Sequence, residues 1–450
     1  MSLRISVFGT GYLGATHAAG MAELGHEVIG VDIDPAKIER LSRGEVPFYE
    51  PGLPELLRKH VESGRLRFTT DAAEAAAFAD VHFIGVGTPQ KKGSYAADMT
   101  FVDSVIETLA PLLERPAVIL GKSTVPVGTA ARLAARVREL APVGDDAQLG
   151  WNPEFLREGF AVEDTLRPDR LVIGVDKDRP GRIEEVAREV YADAIARDTP
   201  FLVTDLPTAE LVKVSANAFL ATKISFINAI AEVCEATGAD VAELADAIGH
   251  DARIGRKFLG AGLGFGGGCL PKDIRAFMAR AGELGVDQAL TFLREVDDVN
   301  MRRRSHVIGL VENELDGRLQ GGKVAVLGAA FKPESDDIRD SPALDVAGRL
   351  HLEGADVRVF DPEAMANAAT VWPTLTFAES ATEALKGAEV VVVATEWKEF
   401  RSLDPHAVAE LVAAKVVIDG RNCLPAQQWI DAGWRYIGLG RHAASVASTA

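Results

Sequence analysis

The feature that most restricts the fold of this chain is the run Gly9-Thr10-Gly11-Tyr12-Leu13-Gly14, set between the apolar segment Arg4 to Phe8 and a helical pattern that continues through Leu24. In such a run the first glycine permits a tight turn and the second lets backbone approach a pyrophosphate. The third allows close helix packing, and the helix N-terminus then faces the anion. Gly25-His26 closes the helix, and the next apolar segment, Glu27 to Val31, ends at Asp32. A lone glycine run of this kind is weak evidence, but a preceding strand, a following helix and an acidic residue about 20 positions on make it specific. An Asp32 carboxylate can accept both adenosine ribose hydroxyls and repels a 2′-phosphate, which favours NAD over NADP. Further strands around Val81 to Val86 and Ala117 to Leu120, with helical patterns between them, predict a parallel, doubly wound sheet with its ligand loops at the carboxyl edge. Thr88-Pro89 and Ser123-Thr124 fall on that edge and are candidates for cofactor contact, although either alone reads equally well as a turn or a helix cap.

From Thr208 to Thr237 apolar residues recur at helical spacing without proline, and Gly238 supplies a stop. A helix this long links domains or lines a dimer interface. Beyond the glycine-rich segment Gly260 to Gly268 and a boundary at Asp316 to Gly322, the pattern restarts with strands Lys323 to Leu327, Asp356 to Phe360 ending at Asp361, and Val390 to Ala394. Its first turn, Gly328-Ala329-Ala330-Phe331, lacks the second and third glycines, so no dinucleotide is assigned there. The predicted fold is α/β: two Rossmann-like doubly wound domains joined by a long central helix and a helical middle domain. Residues 1–205 form the first domain, 206–318 the middle, 319–441 the second α/β domain and 442–450 a flexible tail.

A chain of 450 residues is expected to form two or three domains. A net charge of −18 argues against nucleic-acid or anionic-membrane surfaces. No apolar run is expected to reach the roughly 18 to 20 residues that cross a bilayer, and no leader pattern is read at the N-terminus. Cys234, Cys269 and Cys423 are too few and too scattered for a disulfide framework or a zinc site, which suits a reducing cytoplasm without a metal.

Lys213 and Asn217 stand four residues apart on one helix face, where a partly desolvated lysine and an amide can stabilise an oxyanion. A solvated, snorkelling lysine is the commoner outcome for such a pair. Cys269 follows Gly262-Leu263-Gly264-Phe265-Gly266-Gly267-Gly268 and precedes Leu270-Pro271-Lys272-Asp273. Uncrowded backbone can wrap a ligand there, and Lys272 can favour the nucleophilic thiolate. Cysteine is more often an inert buried residue. Cys234 and Cys423 fit that description, whereas Cys269 in a glycine loop does not.

With these motifs the chain resembles the UDP-glucose 6-dehydrogenase family of nucleotide-sugar dehydrogenases, over almost its whole length. The resemblance rests on the Gly9 to Gly14 run, Pro47-Phe48-Tyr49-Glu50-Pro51-Gly52-Leu53, Ser123-Thr124-Val125-Pro126-Val127-Gly128, Asn152-Pro153-Glu154-Phe155-Leu156-Arg157-Glu158-Gly159 and Phe265 to Asp273. Phe331-Lys332-Pro333, Asp336 to Pro342 and Asp419-Gly420-Arg421-Asn422 extend it into the second α/β domain. Leu13, Gly268 and Leu270 depart from commoner family residues without removing a reactive group.

The resemblance implies oxidation of a sugar C6 alcohol to a carboxylate with two NAD reduced in succession, through a Cys269 thiohemiacetal and thioester. It implies that Lys213 and Asn217 stabilise oxyanions, that Asp273 assists proton transfer or water activation, and that Thr124 and Glu154 position water. To Gly9, Gly11, Tyr12, Leu13, Gly14 and Asp32 it adds Lys37, Thr88, Thr124, Glu158, Lys272 and Arg339 for NAD. For UDP-glucose it implies Glu154, Phe155, Leu156, Arg157, Glu158, Lys213, Asn217, Phe258, Leu259, Gly260, Ala261, Gly262, Gly266 and Lys332. Arg421 joins them as a cationic donor, and Arg253 reaches across the interface of a homodimer formed through the central helix. Relatives acting on GDP-mannose or a UDP-N-acetylhexosamine share the catalytic motifs. Simpler 6-phosphogluconate and hydroxy-acid dehydrogenases need no thiol, and an NAD-binding regulatory protein would lack the reactive groups.

Overall fold

The computed structural model describes residues 2–441; the expected tail at 442–450 lies outside the described residues. The described chain divides into two compact units, one of residues 2–216 with 275–285, the other of 217–274 with 286–441.

In the first unit, strands β1 (Arg4–Phe8), β2 (Glu27–Val31), β3 (Leu66–Thr69), β4 (Val81–Ile84), β5 (Ala117–Gly121), β6 (Ala147–Trp151), β7 (Leu171–Val175) and β8 (Phe201–Asp205) form one sheet. Their order is β3-β2-β1-β4-β5-β6-β7-β8, parallel except where β6 meets β7. The first six follow the doubly wound nucleotide-binding order, whose topological switch lies between β1 and β4. The central strands of such a sheet are covered on both faces, so they are mostly apolar rather than alternating: Val7, Phe83, Ile84, Ile119 and Leu120 are all buried. The strand expected through Val86 ends at Ile84, and Gly85 adds one more bond, to the Phe8 carbonyl, before the chain turns toward the ligand edge.

The second unit repeats the plan. Strands β9 (Lys323–Leu327), β10 (Asp356–Phe360), β11 (Thr376–Phe377), β12 (Val390–Val393), β13 (Val416–Asp419) and β14 (Arg435–Gly438) order as β11-β10-β9-β12-β13-β14, all parallel. Val390 to Val393 and Val324 to Leu327 are its buried centre.

The long helix Leu206–Thr237 spans 32 residues and joins the two Rossmann-like domains. By length and composition it contains a stretch apolar enough to cross a membrane, where the sequence reading expects none. That expectation counted uninterrupted apolar residues, whereas a helix averages them with its polar positions. Ala218, Ala221, Ile227, Ala231 and Cys234 of this helix are buried in protein, as in a core helix.

Candidate active site

In the first unit, Gly9 adopts φ +87°, and a Cβ there would meet Val86 Cγ1 at 2.6 Å. A Cβ on Gly14 would lie 1.7 Å from the Gly9 carbonyl oxygen. A Cβ on Gly11 would meet nothing within 4 Å. Two glycines are therefore fixed by packing, and the third faces open space at the N-terminus of the helix Tyr12–Glu23, where phosphate oxygens can meet backbone N–H groups. Asp32 lies beyond this cradle. Its Oδ2 accepts from the Thr10 amide (2.9 Å), the Thr10 hydroxyl (3.0 Å) and Lys37 Nζ (2.9 Å), while Oδ1 accepts from the Asp34 amide. Burial pushes this carboxyl up, but Lys37 and the amides outweigh it and hold the group below the usual range. It is an anion, with lone pairs on Oδ1 left for ribose hydroxyls.

The fingerprint helix also fastens the segments from which further site residues come. Tyr12 donates to Glu50, and Glu50 accepts from the Gly159 and Ala161 amides, both at 2.7 Å. Burial and the Glu50 carboxylate push the Tyr12 hydroxyl far up, so it stays a donor. The chain around Glu50 is thereby anchored to the loop that carries Glu154 to Glu158. Thr88 donates to the Thr124 carbonyl at 2.8 Å, joining the loops after β4 and β5.

Lys213 and Glu154 form an almost fully buried ion pair at 2.9 Å, and Glu154 also accepts from the Leu156 amide. One turn earlier on the helix, Glu210 accepts from the Gly128 and Ala130 amides at 2.7 and 2.6 Å and so pins the Ser123 to Gly128 loop. Burial raises the Glu210 carboxyl to about 7, although these amides oppose the shift. Arg157 is clasped by Asp164.

In the second unit, Cys269 is exposed and directly precedes the helix Leu270–Glu283, whose N-terminal dipole favours negative charge on a nearby sulfur or oxygen. Cys234 is buried, and burial together with Asp419 pushes the Cys423 thiol up. Asp273, one turn into the helix after Cys269, accepts from Asn217 Nδ2 and Lys272 Nζ, each at 2.6 Å. The Lys272 charge thus meets Asp273.

The glycine loop is held on both sides of its turn. Asn300 accepts from the Phe265 amide at 2.7 Å and donates to its carbonyl at 2.9 Å, and Arg304 adds a bond to that carbonyl. A Cβ on Gly266 would lie 2.3 Å from the Asp340 carbonyl oxygen, and Gly267 has φ +85°. Gly268 lies against the Arg339 guanidinium, itself bound to Asp337. Gly262 donates to Asn228. Arg421 donates to the carbonyls of Ala394, Gly264 and Phe331 and pairs with Glu396, which makes it a brace for the loop. Lys332 lies over the Phe331 ring.

Phe258 is half-exposed at φ +66°, an unusual conformation for a bulky residue; Gly260 is exposed, while Leu259, Ala261 and Gly262 are buried. Arg253 projects into solvent beside Asp251.

The second Rossmann-like domain has a carboxylate at the position of Asp32, but it is saturated. Asp361 Oδ2 accepts from the Ala329 and Ala330 amides and Trp397 Nε1, and Oδ1 accepts from the Glu363 and Ala364 amides. It has no capacity left for a ribose. The sequence reading did not find Glu210, Asn228, Asn300 and Arg304. Their only signal was a polar residue within an apolar helical pattern, which becomes informative once its burial is known.

A doubly wound sheet with an open phosphate cradle and an ionised carboxylate beyond it defines a dinucleotide-dependent oxidoreductase domain. Family models resolve the class further: the NAD binding domain of the UDP-glucose/GDP-mannose dehydrogenase family matches residues 3–195, its central domain 207–302 and its UDP binding domain 325–426. The chain belongs to the UDP-glucose/GDP-mannose dehydrogenase family, and its cofactor is NAD. It is 42% identical to a UDP-glucose 6-dehydrogenase of Rhizobium meliloti, over 98% of this chain and 100% of the relative. It is 40% identical to one of Pseudomonas aeruginosa, over 98% of each. A UDP-glucose dehydrogenase structure from Pyrobaculum islandicum superposes with a TM-score of 0.89 at 39% identity, covering 98% of both chains.

Proposed function

We propose that the chain oxidises UDP-glucose to UDP-glucuronate, with Cys269 as a covalent nucleophile and two NAD reduced per sugar. The observation that carries this reading is an exposed thiol at the end of a clamped glycine loop, in the same unit as the Asn217–Asp273–Lys272 cluster. Relatives named UDP-glucose 6-dehydrogenase, at 38–42% identity, support the substrate. Residues 1–205 serve NAD, 206–318 catalysis and association, and 319–441 the UDP moiety, in keeping with the family-model ranges.

Bound NAD supplies the hydride acceptor in both oxidations. Gly9, Gly11, Tyr12, Leu13, Gly14, Asp32, Lys37, Thr88, Thr124, Glu158, Lys272 and Arg339 are the residues proposed to hold it. The C6 alcohol loses a hydride and a proton to give an aldehyde. The Cys269 sulfur adds to the aldehyde carbon, and the resulting thiohemiacetal loses a second hydride and proton to become a thioester. Water cleaves the C–S bond, which releases the carboxylate and restores the thiol. Lys213 and Asn217 stabilise the oxyanions, Asp273 moves the proton, and Thr124 and Glu154 orient the water. The sugar nucleotide is held by Glu154 to Glu158, Phe258 to Gly262, Gly266 and Lys332, with Arg421 and Arg253. Three scattered cysteines with no disulfide among the described residues support a reducing, cytoplasmic setting.

Counting NADH against limiting sugar nucleotide tests the reading. Two NADH per UDP-glucose is the expected result; one would mean that the reaction stops at the aldehyde. Turnover of GDP-mannose or a UDP-N-acetylhexosamine instead would keep the chemistry and change the substrate.

The working form is a homodimer through the central helix. Phe219, Phe226 and Val233 recur every seven residues along it and are 66%, 50% and 56% exposed, an apolar stripe suited to a second copy of the same helix. Phe219→Glu with Phe226→Glu is expected to halve the mass measured by light scattering. An unchanged mass would place the interface elsewhere.

A further inference from the structure

β5 and β6 are adjacent and in register, with Gly121 opposite Trp151, and the Asn152 amide donates to the Gly121 carbonyl. Lys122 and Asn152 are therefore the next facing pair, at the point where both strands open into loops. Lys122 Nζ donates to Asn152 Oδ1 at 3.0 Å and to the Tyr191 hydroxyl at 3.3 Å; Tyr191 donates to the same Asn152 oxygen, and Asn152 donates to the Val172 carbonyl. Two residues beyond this bridge stand Thr124 on one loop and Glu154 on the other.

Lys122 is only 7% exposed, and no carboxylate among the described residues lies within ion-pair distance of it. A buried ammonium without a carboxylate is costly, and a neutral glutamine could make the same bond to Asn152. Lys122 faces a cavity of about 40 Å³, room for a few waters, which Glu154 also lines. His17, Tyr191, Asp164, Asp169 and Arg170 are the other titratable or charged groups around it. Burial and the Lys122 charge keep His17 neutral, burial keeps Tyr191 protonated, and Arg157 binds Asp164. Glu154 is the carboxylate whose charge opposes the effect of burial on Lys122.

We propose that Lys122 is a positioning residue of the reaction: it ties the loop of Thr124 to the loop of Glu154, and its charge helps hold Glu154 in place beside Lys213. The inference rests on the proposed roles of Thr124, Glu154 and Lys213. Burial lowers the Lys122 ammonium to about 8, against a smaller opposing effect of Glu154. The charged form is the supporting one, so its contribution is complete below that pH and lost as the pH rises through it.

The test follows NADH formation by the full-length enzyme across the neutral and alkaline range. Lys122→Gln should lower kcat by about 10-fold or more with KM for UDP-glucose within about 2-fold, and should abolish the alkaline limb near 8. In a Glu154→Gln background the same substitution should cause no further fall. An alkaline limb that persists, or an equal loss in both backgrounds, overturns the proposal. Should Lys122→Gln not fold, Tyr191→Phe removes one acceptor from the ammonium at nearly constant volume and should move the limb to lower pH; an unmoved limb is then the overturning result. Wild-type inactivity on UDP-glucose is a different failure, of the substrate reading. The series is then run on GDP-mannose or UDP-N-acetylmannosamine, where the comparison of Lys122 variants stands unchanged.

Discussion

Cys269→Ala is expected to lower UDP-glucuronate formation by roughly 10⁴-fold or more, because no other group among the described residues offers an exposed thiol to trap the aldehyde. NAD binding should be unaffected, since the fingerprint cradle and Asp32 are built from other residues in the first unit. Cys269→Ser is the more informative variant. A hydroxyl can add to the aldehyde, but the ester it would form resists hydrolysis, so covalently labelled enzyme should accumulate and be visible by mass spectrometry of the intact protein. Full acid formation by Cys269→Ala would contradict the covalent mechanism and favour direct oxidation of a hydrated aldehyde.

Lys213→Met should cost both activity and stability, for separable reasons. Loss of the ammonium removes the proposed oxyanion donor, an interaction worth about 10²–10³ in kcat. It also leaves Glu154 buried without its partner, and breaking a buried ion pair on one side costs about 3–5 kcal/mol. Adding Glu154→Gln should restore most of the urea midpoint while leaving kcat depressed. If both substitutions together are as unstable as Lys213→Met alone, the ion pair is not what the first change disrupted.

Much of this was legible in the residues. The glycine run with Asp32 fixed the first βαβ unit, because backbone approach to a phosphate and a tight turn each demand a residue without Cβ. The strand expectations for Glu27 to Val31, Lys323 to Leu327 and Asp356 to Phe360 coincide with the observed ends, since each closes on a glycine or aspartate turn. The restart of the pattern at Lys323 showed the second α/β domain, and its missing glycines argued against a second dinucleotide. The structure supplies a further reason in the saturated Asp361.

Other features depended on residues distant in sequence. Lys213 reads as an ordinary surface lysine until Glu154, 59 residues earlier, is found 2.9 Å from it. Asp273 has Lys272 beside it in sequence but gains Asn217 only when the helix bearing it packs alongside. Glu210, Asn300 and Lys122 carry no local motif, because a single polar residue in an apolar stretch has the same pattern whether it faces water or a loop amide. The sequence by itself determined what is local: the turns that require glycine, the apolar strands, and the thiol placed at the end of a glycine run, whose lack of side chains the structure uses for close packing rather than for open space. Only the tertiary structure decided which charges are paired, buried or left for a ligand, because desolvation and Coulomb interaction depend on distances between segments that the order of residues does not encode.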